Sequence, residues 1–128
     1  MKPLTHEWVV KAEDDFKVAA QILRRRKEIF PDAACFFCQQ CVEKYLKARL
    51  VEANIPFPRT HDLLQLLNLC THVEPLWSAY AKVVDAMTDF AVDFRYPGQS
   101  ATLRQAKLAL KHCRSLRAEV RRSLGLKA

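Results

Sequence analysis

The stretch from about Asp32 to Asn54 constrains the fold more than any other part of this chain. Pro31 precedes it and Pro56 follows it, and a proline disrupts the interior of a helix. Between them, apolar and small residues recur every three or four positions, which marks one face of an α-helix: Ala34, Phe37, Cys38, Cys41, Tyr45 and Ala48. Such a helix would be roughly 33 Å long at 1.5 Å per residue, so we expect the other helices to pack along it.

The scarcity of glycine extends the helical interpretation to the whole chain. The 128 residues include only two glycines, whereas a β-sandwich or barrel needs many tight turns that favour glycine. Alanine, leucine, lysine and arginine, which are strong helix formers, are abundant. We therefore predict an all-α fold, an up-down four-helix bundle with an extra short helix, in a single domain over residues 1–128.

Apolar spacing and proline positions also predict the limits of the other helices. In chain order, we expect a first helix capped by Thr5, a short third helix capped by Thr60, an unbroken fourth helix from Pro75 to Phe94, and a fifth from about Ser100 to Leu124. The expected inward residues of the last two are Trp77, Tyr80, Val84, Met87, Ala91 and Phe94, then Leu103, Ala106, Leu110, Cys113, Leu116, Val120 and Leu124.

The positive charge is concentrated near the end of the sequence. The formal net charge is +7, but residues 1–103 contain 13 basic and 13 acidic side chains, and residues 104–128 contain eight basic residues and one acid. This excess forms a stripe on the last helix: Arg104, Lys107, Lys111, Arg114 and Arg121. The stripe could follow a phosphate backbone. A solvated face, or one paired with Asp85, Asp89 and Asp93 of the fourth helix, is an equally good interpretation.

The N-terminal sequence and the hydropathy pattern indicate the compartment. The segment MKPLTHEWVVKAEDDF turns acidic early and has no uninterrupted apolar core, so we expect no signal peptide. No apolar run approaches the ~20 residues that a membrane-spanning helix needs. We therefore expect a cytoplasmic protein with no membrane contact, and its five cysteines should be reduced.

Three of the cysteines, Cys35, Cys38 and Cys41, recur at steps of three in the central helix. A zinc site usually offers a second Cys or His pair at matching spacing, and a thioredoxin-type pair follows a strand. Neither feature is present, and a continuous helix would place these side chains on neighbouring positions of its inner face. We interpret them as packing residues and expect neither a metal nor a cofactor.

His61 and Arg95 have the surroundings that most favour a function. His61 follows Arg59 at an expected helix start, where free N–H groups bind anions. Arg95 precedes a Tyr-Pro turn, which suits a rigidly held, phosphate-binding guanidinium. Histidine and arginine together can also cleave a phosphodiester. The structural alternatives are a locally hydrogen-bonded histidine and an arginine that bonds helix-end carbonyls or Asp93.

Four segments occur in an order that is fairly specific. They are Trp8 with Ala12-x-x-Asp15-Phe16, then FCQQCVEKYLKA at 37–48, then Thr60-His61-Asp62-Leu63 with Leu66-Leu67, and finally Arg95-Tyr96-Pro97. From about residue 8 to residue 120, this combination resembles the HEPN domain, the higher eukaryotes and prokaryotes nucleotide-binding domain. The resemblance implies four antiparallel helices with an added short helix, usually in a homodimer, and a frequent partnership with a minimal nucleotidyltransferase.

The resemblance also implies a function and a set of site residues. It implies binding of nucleotide or RNA phosphates in a toxin–antitoxin-like module, at Gln40, Lys44, Lys47, His61, Arg95 and Tyr96. Ribonuclease members place a histidine four to six residues after an arginine that aligns with Arg95. Gln99 to Ala101 contain no histidine, so we expect binding without catalysis. Two alternatives remain: a metal-independent endoribonuclease toxin that uses Arg95 and His61, and a plain helical interaction module.

Overall fold

The computed structural model describes the backbone of residues 1–128 and every side chain except that of Ala91. The five α-helices are α1 (Pro3–Arg24), α2 (Pro31–Glu52), α3 (Leu63–Cys70), α4 (Ala81–Thr88) and α5 (Leu103–Ser123). The fold is all-helical, which confirms the prediction of a helical bundle with an extra short helix. The expected inward position of Ala91 lies outside the described side chains. Within the described residues, no helix combines the length and the apolar character needed to cross a membrane.

Helix α2 lies at the centre of the bundle. Helices α1 and α5 pack along it, and α3 and the segment after α4 contact it from other directions. Five of the six residues predicted for its inner face are buried, and Phe37 is partly buried. The largest fully buried side chains of α2 include Tyr45, Leu46 and Leu50. The central position predicted for this helix is therefore confirmed, and the polar side of α2 is also largely covered.

Two predicted helix caps are wrong. Helix α1 begins at Pro3, whose fixed φ suits the first helical position, and Thr5 lies buried within the first turn. The Thr5 hydroxyl donates to Glu52 Oε1 at 2.8 Å, which joins the two ends of the α1–α2 hairpin. Asp62 caps helix α3, because its carboxylate accepts the backbone N–H groups of Leu64 and Gln65.

The predicted fourth helix is divided into shorter pieces. A 3₁₀ helix (Pro75–Tyr80) precedes α4, and two 3₁₀ turns (Asp89–Ala91 and Asp93–Arg95) follow it. Thr88 lies at the division: its hydroxyl donates to the carbonyl of Val84 at 3.1 Å and accepts the N–H of Leu63 at 3.1 Å. A threonine that bonds back to residue i−4 bends a helix, and here the same hydroxyl also ties the helix end to α3.

Helix α5 begins later than predicted and turns one apolar residue outward. Thr102 caps it through a reciprocal pair of hydrogen bonds with Gln105, so the helix starts at Leu103 rather than near Ser100. The core face consists of Ala106, Ala109, Cys113, Leu116 and Val120. Leu103 was expected inside but is 37% exposed, because the capping turn lies at the edge of the bundle.

Candidate functional site

Arg95 and His61, the two residues that the sequence singled out, both contact one line of side chains along α2. Phe36, Gln40, Glu43 and Lys47 follow one another at steps of four, three and four, so they lie on one face of the helix. The Arg95 guanidinium lies 4.9 Å from the centre of the Phe36 ring, and His61 Nδ1 lies 2.7 Å from Glu43 Oε1. We call this surface the α2 face.

Arg95 and His61 approach different turns of the α2 face. Their contacts Phe36 and Glu43 are seven residues apart, which is about 10 Å along a helix axis. Among the described side chains, no hydrogen bond or ion pair joins Arg95 to His61. The two residues could therefore contact one extended ligand, whereas a single phosphate group is too small to bridge them.

Glu43 is a buried carboxylate that organises one half of the α2 face. Its side chain accepts from Lys47 Nζ at 3.1 Å and from Gln39 Nε2 at 3.4 Å, in addition to its contact with His61. A buried charge is tolerated when it is paired and hydrogen-bonded in this way. The sequence suggested that Glu43 and Lys47 lie on a polar helix side, but only the structure shows that both are buried.

The imidazole of His61 is oriented by this carboxylate. Nδ1 lies against Glu43, while the side chain as a whole is 70% exposed, so Nε2 remains available to a ligand. Gln39, which is buried, donates to the backbone carbonyl of His61 at 3.1 Å and accepts from Gln40 Nε2 at 2.7 Å. Both amides thus hold the segment that carries His61, a role that sequence spacing did not indicate for Gln39.

A pocket of about 500 Å³ opens beside His61. Its lining combines aromatic and cationic side chains from α1, α2 and the loop before α3: Trp8, Lys47, Phe57, Pro58, Arg59, Thr60 and His61. The Lys47 ammonium lies 5.5 Å from the Trp8 ring and 5.9 Å from the Phe57 ring, within cation–π range of both. Aromatic rings beside exposed cations can accommodate a planar base together with its phosphate.

Sequence reasoning missed Trp8 and Phe57 as pocket residues. Trp8 occurs at a core-type position of α1, and it is only partly buried. Phe57 lies between two prolines in the loop, where an aromatic residue has no helical face to join. The Pro-Phe-Pro-Arg sequence just before His61 was the available signal, since a rigid loop presents its side chains in a fixed direction.

Lys44 and Tyr96 have different environments. The Lys44 ammonium donates to Asp15 Oδ2 of α1 at 2.6 Å, and both side chains are largely buried. Tyr96 follows Arg95 at the end of the last 3₁₀ turn and is 61% exposed. The structure thus joins Lys44 to the packing of α1 on α2, while Tyr96 and Arg95 face solvent.

A pocket of about 330 Å³ surrounds the Arg95 end of the α2 face. Phe36, Phe37 and Phe94 supply rings, and Asp32 is the one acid in its lining. Asp32 accepts the backbone N–H of Ala101 at 2.6 Å, which fixes the chain just before α5. Contact with an aromatic ring therefore holds the Arg95 guanidinium, in place of the carbonyl or Asp93 bonds considered from the sequence.

The five cysteines are all free and buried. Burial raises the pKa of Cys35 to about 12, with the neighbouring Cys38 and Asp32 adding to the effect. Burial also raises the pKa of Cys70 to about 12. No group of three or more His, Cys, Asp or Glu among the described residues has the geometry of a metal site. The thiols act as small core residues, in agreement with the packing interpretation.

A second buried polar cluster was not foreseen. Arg117 of α5 donates to both carboxylate oxygens of Glu13 of α1, each at 2.6 Å. The Tyr45 hydroxyl also donates to Glu13 and accepts from Arg121 at 3.2 Å. Burial would raise the pKa of Glu13, but the hydrogen bonds from Arg117 and Tyr45 and the nearby arginine charges lower it below its usual value. This cluster joins α1, α2 and α5.

Comparison with known proteins gives one match. A family model described as HEPN domain matches residues 5–123, nearly the whole chain. No curated protein and no solved structure shows a significant match. The matched range contains α2 to α5, all but the first two residues of α1, the α2 face and both pockets beside it.

Proposed function

Because this chain belongs to the HEPN domain family, a family of nucleotide- and RNA-binding domains, we propose that it binds nucleotide or RNA phosphates along the α2 face. Arg95 and His61 are the proposed phosphate contacts. The proposal depends most on one observation: the imidazole of His61 is oriented through Nδ1 by the buried Glu43, yet most of its surface is exposed. A side chain oriented in this way loses little further freedom when it binds a ligand.

The geometry favours a short RNA over a mononucleotide. The contacts of Arg95 and His61 on α2 are about 10 Å apart, which corresponds to about three stacked nucleotide steps of roughly 3.4 Å each. Trp8 and Phe57 provide rings on which a base could stack beside His61, and Tyr96 provides an exposed ring beside Arg95. We therefore expect an oligonucleotide of about four residues to bind more tightly than a nucleoside monophosphate.

The other proposed site residues have supporting roles. Gln40 donates to the side chain of Gln39, and Gln39 in turn donates to the backbone carbonyl of His61. Lys44 and Lys47 are paired with Asp15 and Glu43, so their ammonium groups stay within the bundle and their charges are compensated there. We expect Lys47 to contribute more than Lys44, because it also lines the aromatic pocket.

The binding site is tested with a labelled tetranucleotide in fluorescence anisotropy titrations. We expect His61→Ala and Arg95→Ala each to weaken binding by about tenfold or more, since a hydrogen bond to a charged group contributes about 1.5–3 kcal/mol. His72→Ala and Arg122→Ala are matched controls, because both remove an exposed side chain of the same type. Equal affinities for the His61 and His72 variants would sink the proposed site.

We also propose that the protein acts as a homodimer. A groove of about 320 Å³ between α4 and α5 is apolar over most of its lining, and Leu108 on its α5 wall is 51% exposed. The exposed Asp85 of α4 and Asp89 of the following 3₁₀ turn form no ion pair with the bases of α5 among the described side chains, although the sequence suggested one. A two-fold related copy could pair such acids and bases reciprocally.

Light scattering coupled to size exclusion tests the dimer. We expect twice the chain mass of 14.8 kDa for the wild-type protein and the monomer mass for Leu108→Glu, which places a charge in the proposed apolar contact. Leu76→Glu is the control, because Leu76 is even more exposed but lies outside the groove. A monomeric wild-type protein at micromolar concentration would contradict the proposal.

The proposed protein partner is a minimal nucleotidyltransferase, in a toxin–antitoxin-like module of the cytoplasm. The support is the family membership together with the resemblance of the central helix segment. Co-expression with a nucleotidyltransferase encoded beside this protein, followed by size-exclusion chromatography, tests it. We expect a complex to elute earlier than either protein alone, and separate elution would favour a plain interaction module.

A second candidate function is metal-independent RNA cleavage. The observation that favours it is the Glu43–His61 pair, since a carboxylate that orients an imidazole is a common arrangement for acid–base chemistry. The separation of His61 from Arg95 along α2 argues against both acting on one phosphodiester within a single chain. Incubation of RNA with the protein and EDTA should leave the RNA intact, and cleavage lost in both His61→Ala and Arg95→Ala would establish this function instead.

A further inference from the structure

A cleft between the end of α1 and the first half of α5 is positively charged on both walls. Arg24 extends into it from α1, and Lys107 and Arg114 extend from α5. The cleft has a volume of about 370 Å³, and the rest of its lining consists of Ala20, Leu23 and Leu110. We call it the α1–α5 cleft.

The tertiary structure brings two basic segments together at this cleft. Residues 16–27 and residues 103–118 contain ten Lys and Arg side chains and no Asp or Glu. The first segment lies within residues 1–103, which carry no net formal charge. Its positive charge is therefore not visible in the charge totals. In the fold the end of this segment lies beside the basic stripe of α5, and Arg24, Lys107 and Arg114 line the same cleft.

The cations of the cleft differ from three other arginines of α5 in their partners. Arg117 and Arg121 are paired with Glu13, and Arg122 is paired with Glu119. Among the side chains that the structure describes, no carboxylate lies within ion-pair distance of Arg24, Lys107 or Arg114. The charge in the cleft is therefore not compensated by the chain itself.

Both arginines are nevertheless held in position. Arg24 Nε donates to the carbonyl of Ala20 at 3.4 Å, and the Arg114 guanidinium lies 5.7 Å from the centre of the Phe16 ring. Each guanidinium retains N–H groups, whose planar arrangement matches the oxygens of a phosphate. None of the lining residues that the structure describes is aromatic, so the cleft offers no ring for base stacking.

We propose that the α1–α5 cleft binds the phosphodiester backbone of RNA without regard to sequence, at a site separate from the α2 face. Arg24 and Trp8 are sixteen residues apart on α1, about 24 Å along its axis, and the cleft shares no lining residue with either pocket of the α2 face. RNA is favoured over an acidic protein because guanidinium groups on opposite walls of a narrow cleft fit a continuous chain of phosphates.

The test uses a charge-reversed pair and a matched control pair. Lys107→Glu/Arg114→Glu reverses the α5 wall, and Lys11→Glu/Lys82→Glu makes the same change in net charge at exposed lysines elsewhere. The probe is fluorescein-labelled oligouridylate of about 20 nucleotides, titrated between about 50 and 200 mM KCl. Anisotropy gives the dissociation constant at each salt concentration.

We expect the cleft pair to weaken binding at least tenfold at low salt. The slope of log affinity against log salt concentration should also be smaller in magnitude by more than one. Each lost phosphate contact removes roughly 0.7 from this slope. The control pair should show a much smaller loss of affinity and a much smaller change in the salt slope. Lys107→Gln/Arg114→Gln removes the same charges without reversing them, and its circular dichroism spectrum should be unchanged. It should show a smaller loss of RNA affinity than the charge-reversed pair, which separates the effect of charge from misfolding.

Two results would overturn the proposal. One is a cleft pair whose affinity and salt slope equal those of the control pair. The other is a cleft pair that keeps its affinity for the RNA but loses binding to poly-glutamate, which would assign the cleft to an acidic protein. Arg95→Ala and His61→Ala, titrated with the same long RNA, should keep the binding that depends on the cleft. The proposal for the cleft and the proposal for the α2 face can therefore be contradicted independently.

Discussion

Glu13 is the side chain whose ionisation is most closely coupled to folding. Its pKa is lowered in the folded protein, because the hydrogen bonds from Arg117 and Tyr45 outweigh the effect of burial. A group with a lowered folded pKa adds stability above its unfolded pKa, near 4.3 for Glu, and this stability is lost as the pH falls through the folded pKa. Glu13 therefore contributes fully at neutral pH and little in acid.

We predict that Glu13→Gln lowers the free energy of unfolding at pH 7 by about 1.5–3 kcal/mol, the range for a lost hydrogen bond to a charged group. The difference from wild type should become small near pH 3. Urea unfolding followed by circular dichroism at both pH values measures it. Glu7→Gln, at an exposed position of the same helix, is the control and should change little. An equal loss at both pH values would show that the Glu13 charge is not responsible.

The buried thiols should be unreactive in the folded protein. All five cysteines are buried, and burial raises the pKa of Cys35 and of Cys70 to about 12, so almost no thiolate is present at pH 8. We predict no reaction with a chromogenic disulfide reagent at pH 8, and five equivalents of released chromophore in guanidinium chloride. Rapid modification of even one thiol under native conditions would contradict the packing role.

The first turn of α5 is the helix end with the most complete cap. Thr102 accepts the N–H of Gln105 at 3.0 Å, and the Gln105 side chain accepts the N–H of Thr102 at 2.8 Å. We predict that Thr102→Ala destabilises the protein by about 1 kcal/mol. Urea unfolding measures the change, and Ser100→Ala, in the exposed turn just before it, is the control. A Thr102 variant as stable as the Ser100 variant would contradict a stabilising cap.

The division of the fourth helix shows where local sequence rules fail at the scale of an element. Its apolar spacing is regular from Trp77 to Met87, and no proline or glycine interrupts residues 76–94. The break occurs at Thr88 because its hydroxyl serves both its own helix and the start of α3. No rule based on sequence spacing could find this, since the second partner lies 25 residues away.

The whole molecule should unfold as one unit, because α2 contacts each of the other four α-helices. The two tryptophans report on separate regions: Trp8 lies in α1, and Trp77 lies in the 3₁₀ helix before α4. We predict that Trp8→Phe and Trp77→Phe variants each give one urea transition whose midpoint by fluorescence equals that by circular dichroism. Different midpoints for the two probes within one variant would contradict a single domain over residues 1–128.

The sequence by itself determined the all-helical fold, the central place of α2 and the family. These properties depend on apolar periodicity, on prolines and on local motifs, all of which act over a few residues. It also singled out His61 and Arg95, because each occurs next to a chain-breaking segment with cationic or aromatic neighbours.

Only the tertiary structure decided what surrounds these residues. The loop before α3 brings His61 to Glu43, and the turn after α4 brings Arg95 to Phe36, over separations of 18 and 59 positions. The same packing places the basic end of α1 beside α5. Ionic and aromatic contacts of this kind depend on distances between segments far apart in the chain, and those distances are set only when the whole bundle packs.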